Sequence, residues 1–259
     1  MTLKTRVIPT LLYKGSCLVK GKNFTSDRIV GSMQQAVRVY NRREVDELIL
    51  LDVSATKERR CISSSLVSQA ARLCSVPLAV GGGVQNSSQA REILRNGADK
   101  VVINTALVTN PEGVSAIVNE FGSQCVIASV DVKRNEDDML MYDCYINSGS
   151  EKICMNLDKL LQRVETLKCG ELIVNSIERD GCMTGYDLEL IKYCSNRVNL
   201  PTIASGGAKD CSDFVAAVKE AGASAVAAAS IFHFTQSTPN DVKRCMNERG
   251  IDVRQTFNT

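Results

Sequence analysis

Three aspartates stand at the ends of apolar stretches, where a carboxylate could do chemistry. They are Asp52, Asp131 and Asp180. A carboxylate at the rim of an apolar core can carry a proton or orient an amine. Asp131 is the strongest candidate, because it lies inside the otherwise apolar pattern VIASVDVK. The alternative for each aspartate is a solvated loop residue or a partner for lysine or arginine.

A second stretch repeats this pattern without the carboxylate. VIPTLLYK matches VIASVDVK, and Leu12 stands where the second copy has Asp131. Leucine can neither transfer a proton nor bind an ammonium group. The two positions are 131 − 12 = 119 residues apart, and Gly82 and Gly206 are 206 − 82 = 124 residues apart. This spacing indicates two related halves of one chain.

Two glycine clusters follow apolar runs in these two halves. Glycine lets backbone N–H groups approach an anion closely, and a helix N-terminus with small polar residues favours phosphate. The alternative is a pair of tight turns, which any barrel needs. The predicted phosphate-binding residues are Gly82, Gly83, Asn104, Thr105, Gly206, Gly207 and Ser230. Two symmetric sites predict a ligand with a phosphate at each end.

Further substrate-binding candidates are Asp52, Asp180 and Lys20. Lys20 follows the first apolar run and could bind a substrate anion, although a solvent-facing lysine would give the same pattern.

Four charged residues begin apolar runs, at the end opposite to the aspartates. They are Arg6, Glu47, Lys100 and Glu171. Two positive and two negative charges could close a ring across the floor of a barrel. The alternative is an ordinary polar rim. A ring suits a small molecule that passes through the floor or docks there.

Eight apolar runs alternate with eight amphipathic segments. This pattern predicts parallel strands joined by helices. Eight such units in 259 residues predict a (β/α)8 barrel of two half-barrels, whose active site lies at the carboxyl ends of the strands. A doubly wound open sheet is the alternative. The predicted strands are 6–12, 47–53, 77–80, 100–103, 125–131, 171–176, 201–204 and 223–228. The predicted helices are 32–41, 63–73, 87–96, 112–121, 157–167, 187–194, 210–221 and 240–248. No linker is evident, so residues 1–259 are expected to form a single domain.

The composition limits the class of protein. A net charge of +2 without basic clusters predicts no nucleic-acid partner, and no run of apolar residues is long enough to cross a membrane. Eleven cysteines with one histidine and no CxxC pair give little support for zinc, so no metal and no cofactor are predicted. Without a secretory signal, the odd cysteine count predicts a cytoplasmic protein with reduced thiols, most of them in the core.

Four longer motifs resemble one family. They are VGGGVQNSSQAREILRNGADKVVINTALVTNPE, FGSQCVIASVDVKR, SIERDGCMTGYDLEL and IASGGAKD. They are similar to HisF, the cyclase subunit of imidazole glycerol phosphate synthase, over about residues 6–254. The HisA sugar isomerases share the barrel and both phosphate sites, but FGSQC and ERDG favour HisF. The resemblance implies a heterodimer with a HisH-like glutaminase on the barrel floor. It also implies that ammonia crosses the barrel to a bisphosphorylated ribulosyl intermediate.

The resemblance also assigns roles to residues. It implies that Asp131 is catalytic and that the charged ring gates ammonia. Leu12 stands where the family motif, close to IPCLDVK, has its first catalytic aspartate, so activity as a lyase is an open question. A paralogous branch with two leucines here is associated with surface polysaccharide (lipopolysaccharide) genes and acetamidino-sugar formation. Membership of this branch would mean that ammonia passes to a separate sugar amidotransferase.

Two alternatives remain open. The first is a working cyclase of histidine biosynthesis, which makes imidazole glycerol phosphate and an aminoimidazole carboxamide ribotide. The second is a HisA-like isomerase that needs neither ammonia nor a charged floor.

Overall fold

The strands close into a barrel. The computed structural model describes residues 4–138 and 141–255, and within them eight parallel strands form a closed ring, in which the last strand pairs with the first. These strands are β1 (Arg6–Lys14), β4 (Leu48–Asp52), β5 (Leu78–Gly81), β6 (Lys100–Ile103), β7 (Val126–Arg134), β10 (Glu171–Ser176), β11 (Thr202–Ser205) and β12 (Ala225–Ala228). The predicted (β/α)8 barrel is confirmed, and the open sheet is wrong.

Helices connect the strands and cover the barrel. Most of them begin at a side chain that accepts a backbone N–H, such as Asn86, Asn110, Asn156 and Thr238. The helices are α1 (Met33–Arg42), α2 (Ser64–Leu73), α3 (Ser87–Arg95), α4 (Ala106–Thr109), α5 (Pro111–Phe121), α6 (Leu157–Thr166), α7 (Leu188–Ser195), α8 (Cys211–Lys219), α9 (Ser230–Phe234) and α10 (Pro239–Glu248). A helix lies at each predicted segment, and the ends differ by at most two residues.

Two antiparallel hairpins extend the barrel strands at equivalent places. Strands β2 (Cys17–Lys22) and β3 (Thr25–Gly31) follow β1, and strands β8 (Tyr142–Ile146) and β9 (Glu151–Asn156) follow β7. The sequence pattern did not predict either hairpin. Each half of the barrel therefore has the same order of elements, namely a strand, a hairpin and a helix, followed by three strand–helix units.

Side chains that point into the barrel form layers, because successive residues of a strand alternate in direction. On β10 the inward residues are Glu171 at the floor, Ile173 in the middle and Asn175 at the mouth. The middle layers are apolar and include Ile8, Ile49, Ala79, Val102, Ile127, Ile173, Ile203, Ala225 and Ala227. The interior is therefore a hydrocarbon-lined segment between a charged floor and a polar mouth.

The cysteines depart from the expectation of reduced, buried thiols. Cys211 on α8 and Cys245 on α10 form a disulfide with a Cα–Cα distance of 6.4 Å, so the prediction of reduced thiols is wrong for this pair. The physical reason is that these two helices pack side by side, which places residues 34 apart in sequence within bonding distance. Of the nine free cysteines in the described chain, only Cys144, Cys169 and Cys194 are buried, so the prediction that most lie in the core is also wrong.

Among the helices described here, none is both long and apolar enough to span a bilayer.

Candidate active site

A deep cavity of about 410 Å³ opens at the carboxyl ends of the barrel strands. Apart from Lys20, the predicted catalytic and ligand-binding residues all line it, and so does Leu12. They are Asp52, Gly82, Gly83, Asn104, Thr105, Asp131, Asp180, Gly206, Gly207 and Ser230. Interior residues such as Val102 and Ile173 also line the cavity, so it reaches down into the barrel.

Asp131 is the carboxylate best placed for proton transfer. The residue is 7% exposed, and the amide Nδ2 of Asn175 donates a hydrogen bond of 3.4 Å to its Oδ1. Burial raises the pKa of Asp131 to about 7, against the hydrogen bond from Asn175, and the charge of Asp180 raises it further. At neutral pH the carboxyl group can therefore both take and give a proton.

Leu12 faces the cavity from the opposite wall. Three strands separate β1 from β7 in each direction around the ring, so Leu12 and Asp131 lie on opposite sides of the mouth. The mouth thus has a carboxyl group on one side and hydrocarbon at the equivalent position on the other.

Lys20 and Asp180 lie close enough near β1 for their charges to interact. The Nζ of Lys20 donates to the carbonyl oxygen of Thr10 at 2.9 Å, and the residue is 3% exposed. Burial lowers the pKa of Lys20 to about 8, and Asp180 opposes this change. Burial raises the pKa of Asp180 to about 6, and Lys20 opposes that change. Lys20 is not among the residues that line the cavity, and its contact with a substrate anion stays a prediction.

The side chain of Asp52 forms hydrogen bonds within the loop that follows it. Arg60 binds its Oδ2 at 2.6 Å, while the backbone N–H groups of Ser54 and Ala55 and the Ser54 hydroxyl donate to its Oδ1. Asp52 is 4% exposed, and both of its carboxylate oxygens accept hydrogen bonds. This agrees with the alternative stated for the aspartates, a partner for arginine, better than with a proton carrier.

Backbone packing explains the glycine clusters without any ligand. A Cβ on Gly83 would lie 1.9 Å from the carbonyl oxygen of Arg60, and a Cβ on Gly207 would lie 2.3 Å from that of Gly185. Both glycines also have positive φ angles, of 69° and 110°. The tight-turn alternative therefore accounts for the glycines, and phosphate binding at these clusters stays a prediction.

The two hairpins meet above the cavity. In the β8–β9 turn, Asn147 donates its backbone N–H to Thr105 Oγ1 at 3.1 Å, and a Cβ on Gly149 would lie 2.7 Å from the ring of Phe24 in the β2–β3 turn. The loop after β10 holds the first hairpin, because the backbone N–H of Asn23 donates to the carbonyl oxygen of Asp180 at 2.9 Å. The cavity is therefore partly roofed.

At the floor, the four predicted charges form a closed network. Arg6 binds Glu47 and Glu171, and Lys100 binds the same two carboxylates at 2.9 Å and 2.6 Å. Arg6 and Lys100 lower the pKa of Glu171 in spite of its burial, so it stays ionised at neutral pH. Side-chain exposure falls from 26% for Arg6 to 2% for Glu47. The network lies directly below the apolar interior, and its role as a gate stays a prediction.

Comparison with known proteins assigns this chain to a family. The family model described as "Histidine biosynthesis protein" matches residues 6–238. The chain belongs to the histidine biosynthesis protein family.

Named relatives of this family cover almost the whole chain. A protein of Dictyoglomus thermophilum is 42% identical over 252 residues, which are 97% of this chain and 99% of that protein. Proteins of Caulobacter vibrioides strain NA1000 and Lactococcus lactis strain IL1403 are 39% and 38% identical over 97% of this chain and 96% and 97% of their own lengths. All three are named "Imidazole glycerol phosphate synthase subunit HisF".

The site also contains residues that the sequence analysis did not identify. Asn175 bonds to Asp131, and Thr10, Ser129 and Ser205 line the mouth beside them. An asparagine at a strand end resembles a turn residue, which is why Asn175 gave no signal by itself. Its spacing of four residues from Glu171 places it on the same face of the strand, and this spacing could have identified it.

Proposed function

We propose that this chain is the synthase subunit of a glutamine amidotransferase complex, receiving ammonia at the barrel floor and conducting it to the mouth. The observation that carries the proposal is the closed ring of Arg6, Glu47, Lys100 and Glu171 below an apolar interior that opens into the cavity. If the side chains of the ring move apart, a small neutral molecule could enter the barrel. The hydrocarbon lining would offer it no group to bind.

The partner in this proposal is a HisH-like glutaminase, paired as a heterodimer on the floor. Each of these relatives is named as a subunit, which supports a complex. The side chain of Arg6 remains 26% exposed, so a partner on the floor could reach the ring.

For the use of the ammonia, we assign delivery to a separate sugar amidotransferase in amidino-sugar formation for a surface polysaccharide. Leu12 supports this use, because it leaves the mouth without a carboxylate on β1. The two glycine clusters would then either bind a bisphosphorylated regulator or be unused remnants of a substrate site. Loss of one acid–base group typically lowers the rate by about 10²–10⁴-fold, so efficient cyclisation is not expected here.

The second candidate is an active cyclase, which would convert the ribulosyl bisphosphate intermediate and ammonia to imidazole glycerol phosphate. Two observations favour it. The hairpin turns partly roof the cavity, as suits a reaction completed inside it, and the relatives carry the synthase name. Asp131 would be the acid–base group.

The test is cyclisation of the ribulosyl substrate by the purified chain, with saturating ammonium and no partner. Turnover comparable to that of a HisF relative assayed in parallel would establish the cyclase. Absent turnover, together with glutamine-dependent transfer of ammonia to a sugar acceptor when a glutaminase and an amidotransferase are added, would support the conduit. Ammonia transfer that does not depend on the ring at the floor would contradict the conduit.

A further inference from the structure

Asn175 contacts Asp131 with only one end of its amide. Its Nδ2 donates to the carboxylate, while its Oδ1 is buried and has no hydrogen-bond partner among the described residues. A buried acceptor without a donor destabilises a fold, because it has lost its water and gained nothing in return. An apolar residue of similar size would fit this place at lower cost, so stability does not explain an asparagine here.

The strand register fixes where this amide can act. Asn175 lies opposite Asp131 on β7 and opposite Ser205 on β11. A Cβ on Gly206 would lie 2.8 Å from the free Oδ1, so the missing side chain of Gly206 leaves the room that the amide occupies. The side chain is therefore held beside one carboxyl group, at the upper end of the apolar interior.

An amide can bond to a carboxyl group in both of its protonation states. The ionised form accepts from the Nδ2 group, whereas the protonated form donates from its O–H and needs the Oδ1 atom. Turning the amide over exchanges the two atoms. Because Oδ1 has no other partner, this rotation breaks no further hydrogen bond at Asn175. An asparagine whose Oδ1 also accepted a hydrogen bond from another group could not turn over without breaking that bond.

We propose that Asn175 is a positioning residue that supports Asp131 as base and as acid, its amide turning over when Asp131 gains or loses a proton. The mouth needs this arrangement because Leu12 supplies no second carboxyl group on the opposite wall. The proton moves between Asp131 and a nitrogen atom at the mouth, and Asn175 keeps both of its amide hydrogens throughout. The inference rests on the proposed function only for the nature of that nitrogen, and it holds for either use of the ammonia.

Other titratable groups also face Asp131. Asp180, from the loop after β10, raises its pKa, and Lys20 acts beside Asp180. Strand β8 contributes Tyr145, which pairs with Asp131 in register, and the thiol of Cys144. The variants below leave all four groups unchanged, so a change in the titration of Asp131 is attributable to Asn175.

The chain offers a matched control. Asn240, on α10, also has a buried Oδ1 without a hydrogen-bond partner, but it lies outside the cavity. Asn175→Leu and Asn240→Leu therefore each remove one orphaned acceptor, and only the first lies beside Asp131. Neither change should lower the Tm.

The measurement is a pH titration of protein labelled with 13C-carboxyl aspartate, in which the Asp131 signal is the one that Asp131→Asn removes. Asn175→Leu should raise the midpoint of Asp131 by about one pH unit, because the charge-assisted bond is the stronger of the two. Asn240→Leu should leave it unchanged. In the unmodified protein, the side-chain 1H–15N signals of Asn175 should titrate with the same midpoint, and this dependence should vanish in Asp131→Asn.

An unchanged Asp131 midpoint in Asn175→Leu would overturn the inference, as would Asn175 amide signals that do not follow Asp131. If Asn175→Leu does not fold, the amide titration of the unmodified protein decides alone. Neither readout requires turnover. Absence of ammonia transfer beside an intact, coupled titration would therefore sink the proposed function and leave this inference standing.

Discussion

Leu12 and Asp131 occupy the same place in the two halves of the barrel and face the cavity from opposite walls. Each lies on a strand that continues into a hairpin, with Val19 paired to Leu12 and Tyr145 paired to Asp131. The two residues have equivalent backbone environments, but only Asp131 can carry a proton. This asymmetry makes the mouth a natural place for substitutions that exchange hydrocarbon and carboxylate.

Leu12→Asp tests whether one side chain limits cyclisation. If the pocket is otherwise intact, a second carboxyl group should raise ammonium-dependent cyclisation by about 10²-fold, within the range typical of one acid–base group. The assay follows consumption of the ribulosyl substrate at saturating ammonium. Leu12→Asn, of similar size but unable to transfer a proton, is the control and should give no gain. Equal rates for the natural chain and both variants would mean that the pocket itself does not suit this reaction.

Lys100→Met tests the ring as a gate. The change keeps most of the side-chain volume and removes the contacts of 2.9 Å and 2.6 Å with Glu47 and Glu171, while Arg6 still bridges both carboxylates. Glutamine hydrolysis by an added glutaminase should continue, while the fraction of its ammonia that reaches a product at the mouth should fall severalfold. Lys159→Met, on the exposed side of α6, is the control. Unchanged coupling in the ring variant would exclude a gate.

The raised pKa of Asp131 predicts a pH-dependent cost to stability. The folded state holds the proton up to about pH 7, whereas the unfolded chain releases it near the ordinary value of 3.8. Between these values the folded state binds more protons, so the free energy of unfolding should fall as pH rises. Asp131→Asn removes this dependence, and the variant should gain about 2–4 kcal/mol over the natural chain between pH 4 and pH 8. Urea unfolding at both pH values measures it, and a pH-independent difference would contradict the assignment.

Crystals grown in phosphate should hold an anion at each glycine cluster. The first lies between Gly82 and Thr105 and the second between Gly206 and Ser230, on opposite sides of the cavity. Ser230→Asp should empty the second site by charge repulsion and leave the first occupied. Two vacant clusters in phosphate-grown crystals would mean that close backbone packing is the whole reason for the glycines.

The disulfide between α8 and α10 should contribute measurably to stability. It joins residues 34 apart, and closure of a loop of this length corresponds to about 3–4 kcal/mol in the chain-entropy treatment. Cys211→Ser should lower the free energy of unfolding by up to about this amount without changing the titration of Asp131. Intact-mass analysis of protein alkylated before reduction provides the direct check. When the protein is alkylated in denaturant without reductant, nine alkylated thiols are expected, and eleven would show that the bond is not formed.

The alternation of apolar runs and amphipathic segments was sufficient to predict the barrel, because burial on both faces gives parallel strands continuous hydrophobic runs. The hairpins escaped prediction because their strands are short and mixed in polarity, as the two lysines of β2 and the exposed pattern of β9 illustrate. That the whole chain is one domain stays a prediction.

The site was predictable where strand ends alone define it, and not where tertiary contacts decide. Strand-end position correctly placed Asp131 and Gly206 at the mouth. It could not reveal that Arg60 forms a salt bridge with Asp52, because this pairing depends on the path of a loop. It also could not reveal that Lys20 turns toward the backbone of Thr10. The helices α8 and α10 carry no local signal that their cysteines meet.

The hydrocarbon lining between the floor and the mouth has a consequence for acidity. An ammonium ion would have to leave its water shell to pass residues such as Ile8, Ile127 and Ile203, and no charge or hydrogen-bond acceptor of theirs replaces that shell. Neutral ammonia meets a far smaller penalty. Under the proposed function, the interior would therefore exclude ammonium and deliver ammonia as the free base, at a pH where the surrounding water holds mostly the conjugate acid.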